Sequence, residues 1–223
     1  MSRRAPARLS ASRRAMASSD LGDVDSPVVL HEPGTLRQLR VSGACVFFGG
    51  GRFSDDRGFF EEVDFQALGP GITPKQSALS GSAINVIRGI HISPYGKVVL
   101  CPAGELWDLV VDMRPESPTF LQWDAIVLSA ERRTRVYIPP NCGHAVLALK
   151  EGSMLFYLKL GIFEPSAEFA CHPFDPRLGI QWPKPRAGAA AHILSPKDEQ
   201  APTALEALRK MGRLGSESTA SKL

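Results

Sequence analysis

Short apolar runs broken by turn residues dominate the chain from residue 39 onward. They fall at 45–48, 59–63, 85–91, 98–101, 106–111, 120–128, 135–138, 145–149 and 154–158. Alternating or β-branched stretches this short predict strands. The breaks between them are Gly49-Gly50-Gly51, Pro70-Gly71, Pro94-Tyr95-Gly96, Pro102-Ala103-Gly104, Pro139-Pro140-Asn141 and Glu151-Gly152. Glycine and asparagine tolerate positive φ and proline fixes it, so such clusters turn the chain. Leu106-Trp107-Asp108-Leu109-Val110-Val111-Asp112 mixes alternation with a continuous apolar run, which suits a strand buried on both faces. One segment, 201–211, reads as a helix, with Leu205, Leu208 and Met211 at helical spacing. Many short strands without long helices between them predict an all-β antiparallel sandwich or barrel with a helical tail. Residues 1–35 lack periodicity and read as a mobile extension, 36–215 as one domain and 216–223 as a tail.

Composition narrows the class. Hydrophobic residues make up 43% and charged residues 22%, enough for a packed core. No run approaches the roughly 18 apolar residues that span a bilayer, so a soluble protein with no membrane partner is expected. The net charge of +3 is uneven. Residues 1–20 hold five arginines against Asp20, leaving the rest of the chain at −1. A nearly neutral body lacks the basic stripe that nucleic acid requires, so no nucleic-acid partner is expected. The basic segment is poor in acids, as transit peptides are, but a disordered extension is the simpler reading, with Met16 an alternative start. Cys45, Cys101, Cys142 and Cys171 form no CxxC pair. Reduced thiols in a cytoplasmic protein follow as the expectation.

Two histidines draw the chemistry. His144 ends Ile138-Pro139-Pro140-Asn141-Cys142-Gly143-His144, which is similar to the second half of a cupin signature, with Asn141 where glycine is usual. Asparagine is the residue best able to take glycine's place at positive φ. A metal cupin also needs a His-x-His followed by Glu, whereas His91-Ile92-Ser93-Pro94-Tyr95 offers one histidine. Too few ligands remain, and no metal is expected.

The order and spacing of longer segments resemble one family. These are Phe53-Ser54-Asp55-Asp56-Arg57-Gly58-Phe59-Phe60-Glu61-Glu62, Arg88-Gly89-Ile90-His91, Gly96-Lys97-Val98-Val99 and Gly104-Glu105-Leu106-Trp107-Asp108. Further on come Val111-Asp112-Met113-Arg114, Ser117-Pro118-Thr119-Phe120, Trp123, Asp175-Pro176, Ile180-Gln181-Trp182-Pro183 and Leu194-Ser195-Pro196-Lys197-Asp198. Together they resemble the dTDP-4-dehydrorhamnose 3,5-epimerases and their 3-epimerase relatives. The resemblance implies a cupin-type jelly-roll barrel, a cofactor-independent isomerase and a homodimer with exchanged N-terminal strands. The substrate it implies is a dTDP-4-keto-6-deoxyhexose, inverted at C3, or at C3 and C5, by proton removal and return.

Site roles follow from the same resemblance. His91 matches the base, for which an imidazole with an ordinary pKa near 6.5 is suited. Asp198 matches the carboxylate that orients it, Lys97 the cation beside the keto oxygen, and Tyr157 the acid on the opposite face. Arg57 and Arg88 match arginines that hold the diphosphate, with His144 near the same phosphates. Gln76, Glu62 and Phe163 match positions around nucleotide and sugar, Phe163 as a stacking surface for thymine. Taken singly, these residues have ordinary readings: solvated Arg and Lys, a core Tyr157, and Asp198 capping the final helix. The chain departs from the family at Ala78, Ile92, Ser93 and Gly161-Ile162-Phe163, positions that bear on the pose of the sugar. A 3,4-ketoisomerase, a non-catalytic nucleotide-sugar binder and a metal-dependent cupin oxidoreductase are the competing readings.

Overall fold

The computed structural model describes residues 35–48, 51–63, 68 and 72–215. The expected N-terminal extension (apart from Thr35) and the C-terminal tail lie outside these residues, as do the turn residues Gly49, Gly50, Pro70 and Gly71. Strands come first: β1 (Thr35–Gln38), β2 (Cys45–Phe48), β3 (Arg52–Asp55), β4 (Gly58–Glu61) and β5 (Gln76–Ser82). They continue with β6 (Ile87–Ile92), β7 (Lys97–Ala103), β8 (Glu105–Asp112) and β9 (Trp123–Ser129). β10 (Arg135–Ile138), β11 (Cys142–Ala148), β12 (Ser153–Lys159) and β13 (Phe169–Ala170) complete the strands, and α1 (Pro196–Glu199) and α2 (Ala204–Lys210) close the chain.

Two antiparallel sheets face each other in the expected jelly-roll barrel. One has the order β1-β2-β10-β7-β12-β5 and the other β13-β6-β11-β8-β9. β3 and β4 form a separate hairpin. Every residue of β8 is buried, as its apolar run predicted. Leu106 and Val110 fill the barrel interior with Val46, Val99, Ile126 and Val146. Trp107, Leu109 and Val111 point the other way, into a second core covered by Leu205 and Leu208 of α2. Thr203 caps that helix in a reciprocal pair with Glu206. Asp198 therefore does not cap the final helix; it sits in α1, the single turn before it.

β5 escaped the hydrophobic pattern because Gln76-Ser77-Ala78-Leu79-Ser80-Gly81-Ser82 has no β-branched or aromatic residue. Its strand character comes from pairing with β12 at the sheet edge. β9 begins later than the run at 120–128 implied, because Leu121 takes positive φ in the turn that precedes it. Asn141 does adopt positive φ, at 61°, as its place in the turn before β11 required.

One irregularity positions the site. In the β6–β11 pairing His91 lies opposite His144 and Arg88 opposite Val146, so Gly89 and Ile90 together face Ala145. Two residues against one is a β-bulge. Strict alternation would place residues 88 and 91 on opposite faces. The bulge shifts the phase, so Ile87, Ile90 and Ile92 all enter the outer core while Arg88 and His91 share the inner side. Only glycine fits at the first bulge position: Gly89 has φ +117°, and a Cβ there would lie 2.5 Å from the His144 carbonyl oxygen.

Candidate active site

Between the sheets opens a cavity of about 240 Å³. His91 and Ser93 reach it from β6 and the turn after it; Lys97, Tyr157 and Lys159 reach it from β7 and β12. The histidine thus belongs to one sheet, and the lysine and phenol to the sheet facing it.

His91 Nε2 lies 2.8 Å from Asp198 Oδ1. Asp198 comes from α1, whose N-cap Ser195 accepts the Asp198 N–H and donates its hydroxyl to Asp198 Oδ2 at 3.0 Å. Burial acts to raise the Asp198 pKa, but the bond and charge of His91, with help from Ser195 and the Gly89 N–H, outweigh it. The carboxyl is held below its ordinary value. With Nε2 committed to a carboxylate, Nδ1 is the ring nitrogen available to take a proton. The imidazole is 38% exposed and its carboxylate partner 5%, so the ring faces the cavity and the carboxylate stands behind it.

Across the cavity, burial pulls Lys97 down to about 8. Glu168 opposes that fall, and Lys159, the direct cross-strand neighbour of Lys97, adds to it. Two phenols share the space, and their surroundings differ. Burial raises Tyr157, but the Ser80 hydroxyl at 3.4 Å and the charge of Arg88 counter this. Burial also raises Tyr95, and its 2.6 Å bond to Glu168 Oε1 raises it further. A Tyr95 phenolate would sit against a carboxylate, so Tyr157 is the better proton donor.

His144 is buried and engages Asp108 Oδ2 at 2.7 Å, with its ring edge-on to Tyr157 at 6.2 Å. Arg88 holds β5 through Ser82 Oγ at 2.9 Å and the Gly81 carbonyl at 2.8 Å. Gln76 accepts the Phe163 N–H at 3.0 Å, which places the Phe163 ring at the cavity with the Lys159 ammonium 4.6 Å from its centroid. Arg57 and Glu62 are elsewhere. Both sit on or beside the exposed β3–β4 hairpin, and Arg57 pairs with Asp55. Ile92, one of the departures expected to bear on the pose of the sugar, is fully buried in the outer core. Among the described residues no three of His, Cys, Asp and Glu converge as metal ligands.

The profile of the dTDP-4-dehydrorhamnose 3,5-epimerase family matches residues 38–206. The chain belongs to this family. A dTDP-4-dehydrorhamnose 3,5-epimerase of Mycolicibacterium smegmatis is 37% identical over 182 residues, which cover 78% of this chain and 87% of the relative. The rmlC epimerase of Mycobacterium tuberculosis has a similar structure, with a TM-score of 0.74 and 33% identity over 81% of this chain and 92% of that one. A 3'-monoepimerase of Streptomyces bikiniensis, solved with dTDP-quinovose, gives a TM-score of 0.70 and 34% identity over 79% of this chain and 90% of that one.

Within this family member, the cavity residues Ser93, Tyr95, Lys159 and Glu168 were given no catalytic or binding role by the sequence motifs, although Ser93 was noted as a departure from the family. Two had a signal. Ser93 is two residues past His91, and Lys159 two past Tyr157, so period two carries each to the same face as the residue already singled out. Glu168 had none, because a 3-10 turn at Pro165–Ala167 brings it back to the cavity from outside both sheets. Several family motifs turn out to be structural. Asp112 accepts hydrogen bonds from Arg114, Ser117 and Thr119, Asp175 accepts the Ala204 N–H at the start of α2, and the Trp182 ring packs 5.0 Å from that of Trp107.

Proposed function

We propose that this protein epimerises a dTDP-4-keto-6-deoxyhexose at C3 in deoxysugar biosynthesis. The observation that carries the reading is the placement of His91, backed by Asp198 of α1, on one sheet and a partly buried phenol and a buried lysine on the sheet opposite. A sugar ring held between them meets a base on one face and an acid on the other. His91 takes the C3 proton, and the C–H electron pair moves into the ring as an enolate whose oxygen Lys97 stabilises. Tyr157 returns a proton to C3 from the opposite face, and solvent restores both groups. Asp198 orients His91 and stabilises the imidazolium. Arg88 serves the diphosphate and Gln76 and Phe163 the nucleotide end, while His144, buried on Asp108, supports the wall of the site.

The same reading includes a homodimer. Arg57 and Glu62 lie on a hairpin outside the cavity whose Phe53, Phe59 and Phe60 are 63%, 60% and 64% exposed. Exchange of N-terminal strands would cover these rings and deliver Arg57 and Glu62 to the partner's site. The domain comprises 36–215, and its four buried free thiols suit the cytoplasm.

The test is solvent exchange. Purified protein with dTDP-4-keto-6-deoxyglucose in deuterium oxide should incorporate deuterium at C3, read by NMR, and the spectrum also shows whether C5 exchanges. Absence of exchange at either carbon overturns the proposal in favour of a binding role.

A further inference from the structure

Lys97 has a problem that its role creates. An ammonium that stabilises an enolate must be charged, yet burial favours the neutral amine. Its cross-strand neighbour Lys159 makes this worse. Of the charges around Lys97, Asp108 from β8 acts in its favour, but Glu168 acts most strongly. His91, Tyr95, Tyr157 and Lys197 share the cavity.

Glu168 is fixed with care. Ser93 Oγ donates to Oε2 and the Tyr95 hydroxyl to Oε1, both at 2.6 Å. Each carboxylate oxygen therefore has one short bond, and both donors come from the turn that joins the His91 strand to the Lys97 strand. Gly161 leaves room for this arrangement, since a Cβ there would lie 2.7 Å from the Tyr95 ring. That accounts for one departure from the family pattern: a side chain at 161 would displace Tyr95.

Resting on the epimerase reading, we propose that Glu168, clamped by Ser93 and Tyr95, is a positioning residue that keeps the Lys97 ammonium charged for the enolate oxygen. The clamp couples the turn after the base to the electrophile, so both halves of the proton relay are set by one segment.

The experiment follows Lys97 directly, by titrating its carbon-13-labelled Cε in the full chain, with Lys97→Arg assigning the signal. Glu168→Gln should move the Lys97 titration down by about one pH unit, and the alkaline limb of C3 exchange should move with it. Glu168→Asp should recover part of the shift. Tyr95→Phe, which loosens the clamp without removing the carboxylate, should give a smaller shift in the same direction and serves if Glu168→Gln does not fold. Lys159→Met removes the like charge and should move the titration up. A Lys97 titration unmoved in both Glu168→Gln and Tyr95→Phe overturns the proposal, as does a shift of the same sign in Glu168→Gln and Lys159→Met. Because the titration needs no substrate, it decides the effect of Glu168 on Lys97 even if the wild type exchanges no deuterium, a result that would sink the epimerase reading instead.

Discussion

His91 and His144 stand opposite each other on neighbouring strands, and each is bonded to an aspartate, yet their surroundings assign them different work. His91 lines the cavity; His144 is sealed off with Asp108. Replacing His91 with Asn should lower C3 exchange by about 10³-fold, and Asp198→Asn by about 10²-fold. An unchanged exchange rate in His91→Asn would remove it as the base. His144→Asn should instead destabilise the fold by about 3 kcal/mol, measured by urea unfolding, because it strips the buried Asp108 of its partner. Asp198 also carries a pH signature. Its folded pKa is depressed, so the stability it adds is complete above the ordinary carboxylate range and is lost as pH falls through the folded value. Urea midpoints of the wild type should fall in acid more steeply than those of Asp198→Asn. At this scale the sequence motifs led to His91, Lys97 and Asp198, because each lies inside a run with a distinctive order, whereas Tyr157 came from the family resemblance without such a run. Glu168 and Tyr95 stayed hidden, since what defines them is a hydrogen bond between residues 73 positions apart.

Secondary structure explains why the motif Arg88-Gly89-Ile90-His91 takes the form it does. The bulge lets a cation and a base three residues apart share one side, and glycine is the residue that its backbone admits. Gly89→Ala should therefore cost about 3 kcal/mol or more, combining positive-φ strain with the clash against the His144 carbonyl, and should lower C3 exchange together with stability. A variant with wild-type stability would remove the bulge from the argument. Thr203→Ala offers a contrast, since it breaks the cap of α2 and should cost about 1 kcal/mol without touching exchange. Strands with an apolar face were legible in the pattern of the chain, β8 most clearly. β5 was not, because six of its seven residues are polar or small, the seventh, Leu79, is exposed, and only pairing with β12 makes them a strand. The bulge was illegible for a related reason: alternation reports the face of a residue only while the register holds.

At the scale of the whole molecule, the hairpin is the part that a single chain leaves unsatisfied. Arg52 stacks on Phe59, and Glu61 gathers Arg52, Arg133 and Arg135, so the base of the hairpin is pinned to its own barrel. Its tip is not: Phe53, Phe59 and Phe60 stay largely exposed, and among the described residues Arg57 pairs with Asp55 alone. Exposed aromatic surface of this kind marks an interface, and under strand exchange each cavity draws Arg57 from the other subunit. That arrangement has a consequence which no contact within one chain would produce. His91→Asn and Arg57→Ala should each be poorly active as homodimers. Co-refolded from an equal mixture, they should regain activity, because the mixed dimer holds one cavity with its own intact His91 and the partner's intact Arg57. Statistical mixing makes half of the dimers mixed, with one repaired cavity in each, so recovery should approach about a quarter of the wild-type rate per chain. Recovery absent from a mixture shown by native mass spectrometry to contain mixed dimers would mean that Arg57 serves no neighbouring site, and the exchange of strands would have to be given up.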